Sequence, residues 1–567
     1  MDASSSAPDR PSPAYAEAAG EPTRRTEALV LGLLTLAGLG LRLGVAARTR
    51  VIFDDGPTFI LLARAMARGD FGSALAHPFH PLYSMLIWLT PGSAGHEEAV
   101  GVAWSVAAGT ACIPLLWWLL RPLFGARVAI TAAALLVAHP YAVRGSADVL
   151  SDMVYLALFL LALAGMQRSV TRGEAGSAFA AGTATGLAYL TRPEGVGILI
   201  VGAVLLAGDV WQGRRRAGRA LLVGASLCGG FALLALPYMR IIHVLSGELQ
   251  LTRKKSLAVL LGLEQVEPIA LGAGLGVVLL GVGAVWVIIA RRGGAVAPAA
   301  LRDWRPGPAM VAGLVAIAIG LAWLASPSAL VRFAALFAST IRPELLVLLV
   351  VGVVVSARSG AAPSGRAFFF ITTASLYGAV TFGLLTTAGY LSRRHLLPVA
   401  VVLLGYAAVG LLALAEQVAR RLGGAARPHM RVAVALVLAC IAIALPKTLR
   451  DHRDEGVASR LAAEWVRDAA APGDRMATER NRTAWYSGLV WVPIADHEGL
   501  RDGLELRRLG VRWVVAGERE LTERGGAVLA VAPAPRQRFE LAHVVERHGY
   551  RALVFEVHEP GPAAAGR

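Results

Sequence analysis

The sequence predicts a multi-pass α-helical membrane protein, with about 13 transmembrane helices of bilayer length and a small soluble C-terminal α/β domain. Three observations lead there. First, 56% of the 567 residues are hydrophobic and only 17% are charged, against roughly 45–50% and about 25% in soluble domains. The mean hydropathy is +0.57, which excludes a purely soluble or disordered chain. Second, the apolar residues lie in runs of about 20, the length that spans a bilayer. Third, the excess of 55 Lys and Arg over 39 Asp and Glu, a net +16, sits in short loops between those runs. Such arginines report orientation in a bilayer and imply no nucleic-acid partner. Cys112, Cys228 and Cys440 lie inside apolar runs without metal-ligand spacing, so no disulfide framework is expected.

Residues 1–27 are rich in Ala, Ser, Pro and Glu and read as a disordered tail. The run from Ala28 to Ala47 is too long for the apolar part of a signal peptide and lacks a cleavage site, so it reads as an uncleaved helix. Arg42 is expected to snorkel from it. Further spans are expected at 98–120, 127–143, 149–167, 176–191, 194–211, 219–241, 268–290, 308–326, 342–357, 367–388, 395–415 and 432–446, which makes 28–446 the membrane domain. With the N-terminus in the cytosol, every even-numbered loop is basic, from Arg121 and Arg127 to Arg427 and Arg431. This is the positive-inside pattern. It puts the loops 48–97 and 242–267, and the tail 447–567, on the outer face of a plasma (inner) membrane. The tail alternates a helical pattern (Val457, Leu461, Trp465, Val466) with strand-like runs from Val511 to Ala516 and Ala552 to Val557. No fixed-period repeat and no inverted pair of broken helices is present.

The unusual residues gather on the predicted outer face. The first loop carries Asp54-Asp55, then an amphipathic stretch Ile60 to Arg68, then His77-Pro78-Phe79-His80-Pro81-Leu82-Tyr83. Two adjacent carboxylates beside a bilayer suit a general base or metal ligands. With Pro57 behind them they equally suit a helix cap. In the second loop Arg144, Asp148 and Asp152 are four apart and share a face if helical. Asp152 falls a turn inside the membrane, where an ionised group is costly unless paired or wet. The third loop, Thr191-Arg192-Pro193-Glu194-Gly195, is a forced tight turn holding Arg192 and Glu194 at membrane depth. Arg192 there is either an exposed turn residue or a forked ligand for phosphate. Arg253-Lys254-Lys255 and Tyr390-Leu391-Ser392-Arg393-Arg394-His395 make two outer loops cationic, against the usual bias. Lipid headgroups or a lipid-phosphate substrate would account for them.

In this order the residues resemble the GT-C type of membrane glycosyltransferase, in particular the bacterial branch with aminoarabinose transferases and protein O-mannosyltransferases. The carrying features are Asp54-Asp55, the Ala-rich stretch Ala63 to Ala67, Gly69, and His80-Pro81-Leu82-Tyr83. Arg144 and Asp152 follow, then the Gly-Leu-Ala-x-Leu-x-Arg-Pro-Glu-Gly segment at Gly186 to Gly195, then Arg393 or Arg394. The resemblance covers roughly 28–446. Many members have Asp-Glu where this chain has Asp54-Asp55, and some have Lys where it has His80.

The resemblance implies the GT-C fold and transfer of a sugar from a polyprenyl-phosphate donor to a lipid, glycan or protein acceptor. Asp54 or Asp55 would be the general base, with Asp54 matching the first acid of the family pair. His80, Arg144, Asp152, Arg192, Glu194, Arg393 and Arg394 would bind substrate, the cations stabilising the leaving phosphate. A divalent metal near the acids is compatible with the family, and the sequence requires neither metal nor other cofactor. The competing class is a transporter or flippase of a lipid-linked sugar. It accounts poorly for the paired acids, the C-terminal domain and the lack of inverted repeats.

Overall fold

The computed structural model describes residues 22–211, 214–246, 326–358, 364–422, 428–451, 453–493, 503–518 and 539–558. The first apolar run forms helix α1, Arg24–Arg48. The long first loop folds into three short helices, α2 (Gly56–Ala67), α3 (Phe71–Ala76) and α4 (Leu82–Leu89). At eight residues, α4 is too short to cross a bilayer. Next come α5 (Glu97–Phe124), α6 (Ala126–Val137), α7 (Pro140–Ser146), α8 (Asp152–Arg172) and α9 (Ala175–Thr191). A 3₁₀ turn at Pro193–Val196 leads into α10 (Gly197–Trp211), followed by α11 (Ala217–Ser246). The described membrane helices end with α12 (Pro327–Ile341), α13 (Pro343–Arg358), α14 (Ser364–Ala388), α15 (Arg393–Arg421) and α16 (Pro428–Leu449).

Among the described residues eight helices are long and apolar enough to cross a membrane, or ten if each of two bent pairs forms one span. The chain is an integral, multi-pass membrane protein. The expected span at 268–290, nearly all of that at 308–326, and Arg253-Lys254-Lys255 lie outside the described residues. The expected helix at 127–143 is two helices meeting at 59°, because His139-Pro140 interrupts it. The amphipathic α12 falls where a loop was expected, and it meets α13 at 96°.

Packing in the bundle depends on small residues, as expected where lipid removes most of the hydrophobic drive between helices. A Cβ at Gly182 would lie 2.0 Å from the Leu227 carbonyl oxygen, and one at Gly230 would lie 2.1 Å from that of Phe179. Glycine at both positions lets α9 and α11 touch backbone to backbone. Arg42 does not snorkel. It is fully buried, donating to Ser146 Oγ at 3.2 Å and to the Gly38 and Val137 carbonyls at 3.0 and 3.4 Å. The space left by Gly38 and Gly109 admits it between α1, α5 and α7, so pairing rather than escape offsets its desolvation.

The tail forms α17 (Asp454–Ala469), β1 (Arg475–Thr478), α18 (Asn481–Ser487), β2 (Val490–Pro493), α19 (Gly503–Arg508), β3 (Val511–Gly517), β4 (Phe539–Arg547) and β5 (Tyr550–Val557). The strand order is β2-β1-β3-β5-β4. β1 pairs in parallel with β2 and β3, while β5 pairs antiparallel with β3 and β4. Helix α17 packs on this sheet through Ala458, Ala462, Ala463 and Val466. Leu461, expected on the apolar stripe, is 39% exposed. The small alanines form the stripe instead, and Trp465 stacks on His543 at its margin.

A candidate active site at one end of the bundle

The acidic pair opens α2, and Asp55 occupies its N-cap position with Pro57 in the first turn. The Asp55 side chain makes no capping hydrogen bond. It pairs instead with Arg394 in the first turn of α15, Nη1 to Oδ2 at 2.6 Å. A cap would satisfy a local backbone donor, whereas this carboxylate reaches a cation 339 residues away. Asp54 faces the other way. Its Oδ1 lies 3.2 Å from Arg482 Nε and its Oδ2 lies 3.5 Å from Arg480 Nη1, both from α18 and the residue before it. Asn481 Nδ2 donates to Thr58 Oγ1 at 3.2 Å.

The other expected residues divide into two groups. Asp152, the first residue of α8, pairs with Arg192. Arg192 has the extended backbone that a residue before proline prefers, φ −152° and ψ 138°. Gly195 is required behind it, since a Cβ there would lie 2.4 Å from the Tyr189 nitrogen. Glu194 lies within electrostatic reach of Arg192, His395 and His80, and Arg394 within reach of both Asp152 and Asp55. His80 is buried and its Nδ1 donates to the Tyr189 carbonyl at 2.6 Å. That bond fixes a proton on Nδ1, and the rings of Tyr189 and Tyr238 stand edge-on beside the imidazole. Asp54, Asp55, His80, Asp152, Arg192, Glu194 and Arg394 therefore share one end of the bundle.

Arg144 and Arg393 point elsewhere. Arg144 donates to the Arg450 carbonyl at 3.2 Å, and Arg393 donates to Ser339 Oγ at 3.0 Å with its guanidinium 5.4 Å from the Tyr141 ring centre. Arg144, Asp148 and Asp152 do not share a helical face, because α7 ends at Ser146 and α8 begins only at Asp152. Asp148 is buried in that break. It accepts from the Phe53 backbone at 2.8 Å and pairs with Arg453, which also donates to the Val51 carbonyl. Burial pushes the Asp148 carboxyl pKa up, and Arg453 pulls it back. Asp148 thus fastens the first loop, the second loop and the start of α17 together.

The residues that reading the sequence did not single out come from distant segments. His395 caps its own helix through Ser392, its Nδ1 3.0 Å from Ser392 Oγ, and lies within electrostatic reach of Arg192, Glu194 and Asp152. From the tail, Arg480, Asn481, Arg482 and Tyr486 cover the acidic loop, the Tyr486 hydroxyl accepting from the Ile52 backbone at 2.9 Å. Burial pushes the Tyr486 phenol up to about 12 and lowers the Arg482 guanidinium, with Asp54 opposing the latter. The sequence signal for the tail residues is the pair of arginines flanking Asn481, in a tail read as a separate domain, whereas His395 stands in the cationic segment beside Arg394. Among the described residues no three His, Cys, Asp or Glu side chains group to hold a metal ion. The acids of the site face arginines, a donor set that does not suit a resident cation.

Helices of this length, two pairs of them bent, with charged loops gathered at one end, define an integral multi-pass membrane protein. Residues 76–238 match the family described as dolichyl-phosphate-mannose-protein mannosyltransferase. The oligosaccharyltransferase of Archaeoglobus fulgidus, solved with Zn and sulfate, superposes with a TM-score of 0.55 at 15% identity, over 90% of this chain and 71% of that one. The ArnT of Cupriavidus metallidurans bound to undecaprenyl phosphate superposes with a TM-score of 0.51 at 15% identity, over 94% of this chain and 98% of that one. At such identities the likeness is one of fold. No curated protein sequence matches the chain. The matched family and the shared fold bear out the resemblance to GT-C type membrane glycosyltransferases.

Proposed function

We propose that the protein transfers a sugar from a polyprenyl-phosphate donor to a hydroxyl or amine acceptor at the outer face of the membrane. The observation that carries this reading is Asp55, an N-cap carboxylate that leaves its own helix end to hold Arg394 beside the Asp152–Arg192 pair. Two arginines set in place by carboxylates at the bilayer edge suit a lipid phosphate, which each guanidinium binds in a planar fork. The matched family and the undecaprenyl phosphate bound to the C. metallidurans protein support a donor of that class.

The reaction needs a base for the acceptor's proton and positive charge facing the leaving phosphate. The acceptor oxygen or nitrogen attacks the anomeric carbon while the bond from that carbon to the phosphate oxygen breaks. The electron pair goes to the phosphate, where Arg394 and Arg192 stabilise the growing charge. The acceptor proton goes to a carboxylate of the first loop. Asp55 is engaged on the leaving-group side by Arg394 at 2.6 Å. The partners of Asp54 lie farther off, at 3.2 and 3.5 Å. Asp55 is thus committed to Arg394, so we assign the base to Asp54 and the setting of Arg394 to Asp55. His80 and Glu194 brace the turn that presents Arg192.

The test is release of polyprenyl phosphate by purified protein from a defined polyprenyl-phosphate sugar and acceptor, without any gradient. A flippase would move label across a vesicle and release none. For orientation, a reporter active only outside the membrane, fused near residue 460, should work, and one at 216 should not. The reverse result would put the site in the cytosol.

A further inference from the structure

A groove of about 720 Å³ opens at the opposite end of the bundle, between α1, α5 and the end of α8. Arg24, Arg121 and Arg168 line it, together with apolar wall from Leu31, Leu36 and Pro114. Its acid, Glu27, is 3% exposed and fully engaged. Arg121 holds it with two bonds, at 2.7 and 3.0 Å, and Trp117 Nε1 donates at 2.8 Å. Arg168 lies over the Trp118 ring, 4.2 Å from its centre. A second hollow shares Arg121 and Arg168 and adds Arg172. Three arginines near helix ends thus line one groove in which the carboxylate is already engaged, beside an apolar wall.

We propose that this groove docks one anionic membrane phospholipid, with its phosphate among Arg24, Arg121 and Arg168 and an acyl chain along Leu31, Leu36 and Pro114. Charge complementarity selects the occupant. Arginines beside an anionic leaflet attract its headgroups, and a guanidinium binds a phosphate in a planar fork. Only 17% of the apolar window of α1 is buried inside the protein, so most of this helix faces lipid. A lipid bridging α1 to α5 and α8 would steady the helix that leads straight into the Asp54-Asp55 loop.

The probes are phosphatidylglycerol, phosphatidylcholine and inorganic phosphate, each added to purified full-length protein and read by native mass spectrometry and thermal midpoint. Phosphatidylglycerol should be retained as one adduct and raise the midpoint more than phosphatidylcholine does. The Arg24→Gln, Arg168→Gln double variant spares the Arg121–Glu27 pair. It should lose that adduct at least tenfold while keeping its midpoint in detergent alone. Arg420→Gln, at the same end but outside the groove, should keep the adduct. Equal retention of phosphatidylcholine, an adduct unchanged in the double variant, or equal loss in Arg420→Gln would overturn the proposal. So would the same stabilisation by inorganic phosphate, which would mark an anion site rather than a lipid site. None of these readouts depends on sugar transfer.

Discussion

The two ends of the bundle use the same residue types in opposite ways. At the site end, ion pairs join segments far apart in sequence: Asp55 to Arg394, Asp148 to Arg453, Asp54 to Arg482. At the other end most pairs are local: Arg214 and Arg215 with Asp209, Arg172 with Glu174, Arg420 with Glu416. Among the described residues Arg121 with Glu27 is the exception, and it borders the proposed lipid groove. A local pair on a surface costs little to form and stabilises little. A distant pair at a buried position has to be assembled by the whole fold and holds a defined geometry. The contrast separates arginines with local partners from arginines that draw distant segments together.

The largest expected effect tests the site end at its centre. Asn has the shape of Asp and keeps one carbonyl oxygen that accepts from the facing arginine, so Asp54→Asn and Asp55→Asn should insert and fold. A carboxamide takes no proton, and Asp54→Asn should lose roughly 10²–10⁴-fold in rate. Asp55→Asn should also slow transfer, by freeing Arg394. The measurement is polyprenyl phosphate released per enzyme, with the thermal midpoint recorded alongside. Wild-type rates in both variants would reduce the acidic pair to a structural loop and end the contrast between the two ends.

Next is the tie between membrane helices and tail. Arg453→Ala leaves Asp148 buried, 3% exposed, without its cation. Breaking such a pair costs about 3–5 kcal/mol. The double variant Arg453→Met, Asp148→Leu should recover most of that stability, because two apolar groups leave no charge behind. Thermal unfolding in detergent compares the three proteins. If Arg453→Ala unfolds like the parent, the tail is held by other contacts and its pairs are not what assembles the site.

How much of this was legible in the sequence follows from distance along the chain. Most spans within the described residues could be read, because hydropathy over about 20 residues is a local property, whereas the bend at His139-Pro140 and helix α12 were missed. The turn at Arg192 to Gly195 could be read for the same reason. The pairing of Asp55 with Arg394 could not, since no periodicity links residues 339 apart. The covering of Asp54 by Arg480 and Arg482 was hidden again, because the tail is an independent compositional block. Arg144 misled in another way. Its four-residue spacing from Asp148 fits a helix, but the chain leaves the helix at Ser146, and spacing carries information only while the helix continues.

Arg192→Ala sharpens the comparison inside the site. Removing one donor to a developing negative charge costs about 2.7–4 kcal/mol in the transition state. Turnover should therefore fall much further than protein abundance. Arg192 also holds Asp152, so the informative companion is Arg192→Lys, which keeps the charge and loses the fork. Partial recovery of turnover by Lys, with the thermal midpoint unchanged, would assign Arg192 to the phosphate. Normal activity in well-folded Arg192→Ala would make it a turn residue, and Arg394 alone would serve the leaving group.

The smallest expected effect is the control from the far end. Arg420 and Glu416 form an i,i+4 pair near the end of α15, with Arg420 77% exposed. Such pairs stabilise by about 0.3–0.5 kcal/mol, so Arg420→Ala should move the thermal midpoint barely and transfer not at all. The value of this variant is that α15 also carries Arg394, at its opposite end. The two arginines share one helix, and only one of them meets a carboxylate from a distant loop. If Arg420→Ala slowed transfer as much as a change at Arg394, disturbance would be travelling along the helix. Loss of activity at Arg394 could then no longer be assigned to contact with the phosphate. An inert Arg420 beside a costly Arg394 would locate the chemistry at the end where the long-range pairs converge.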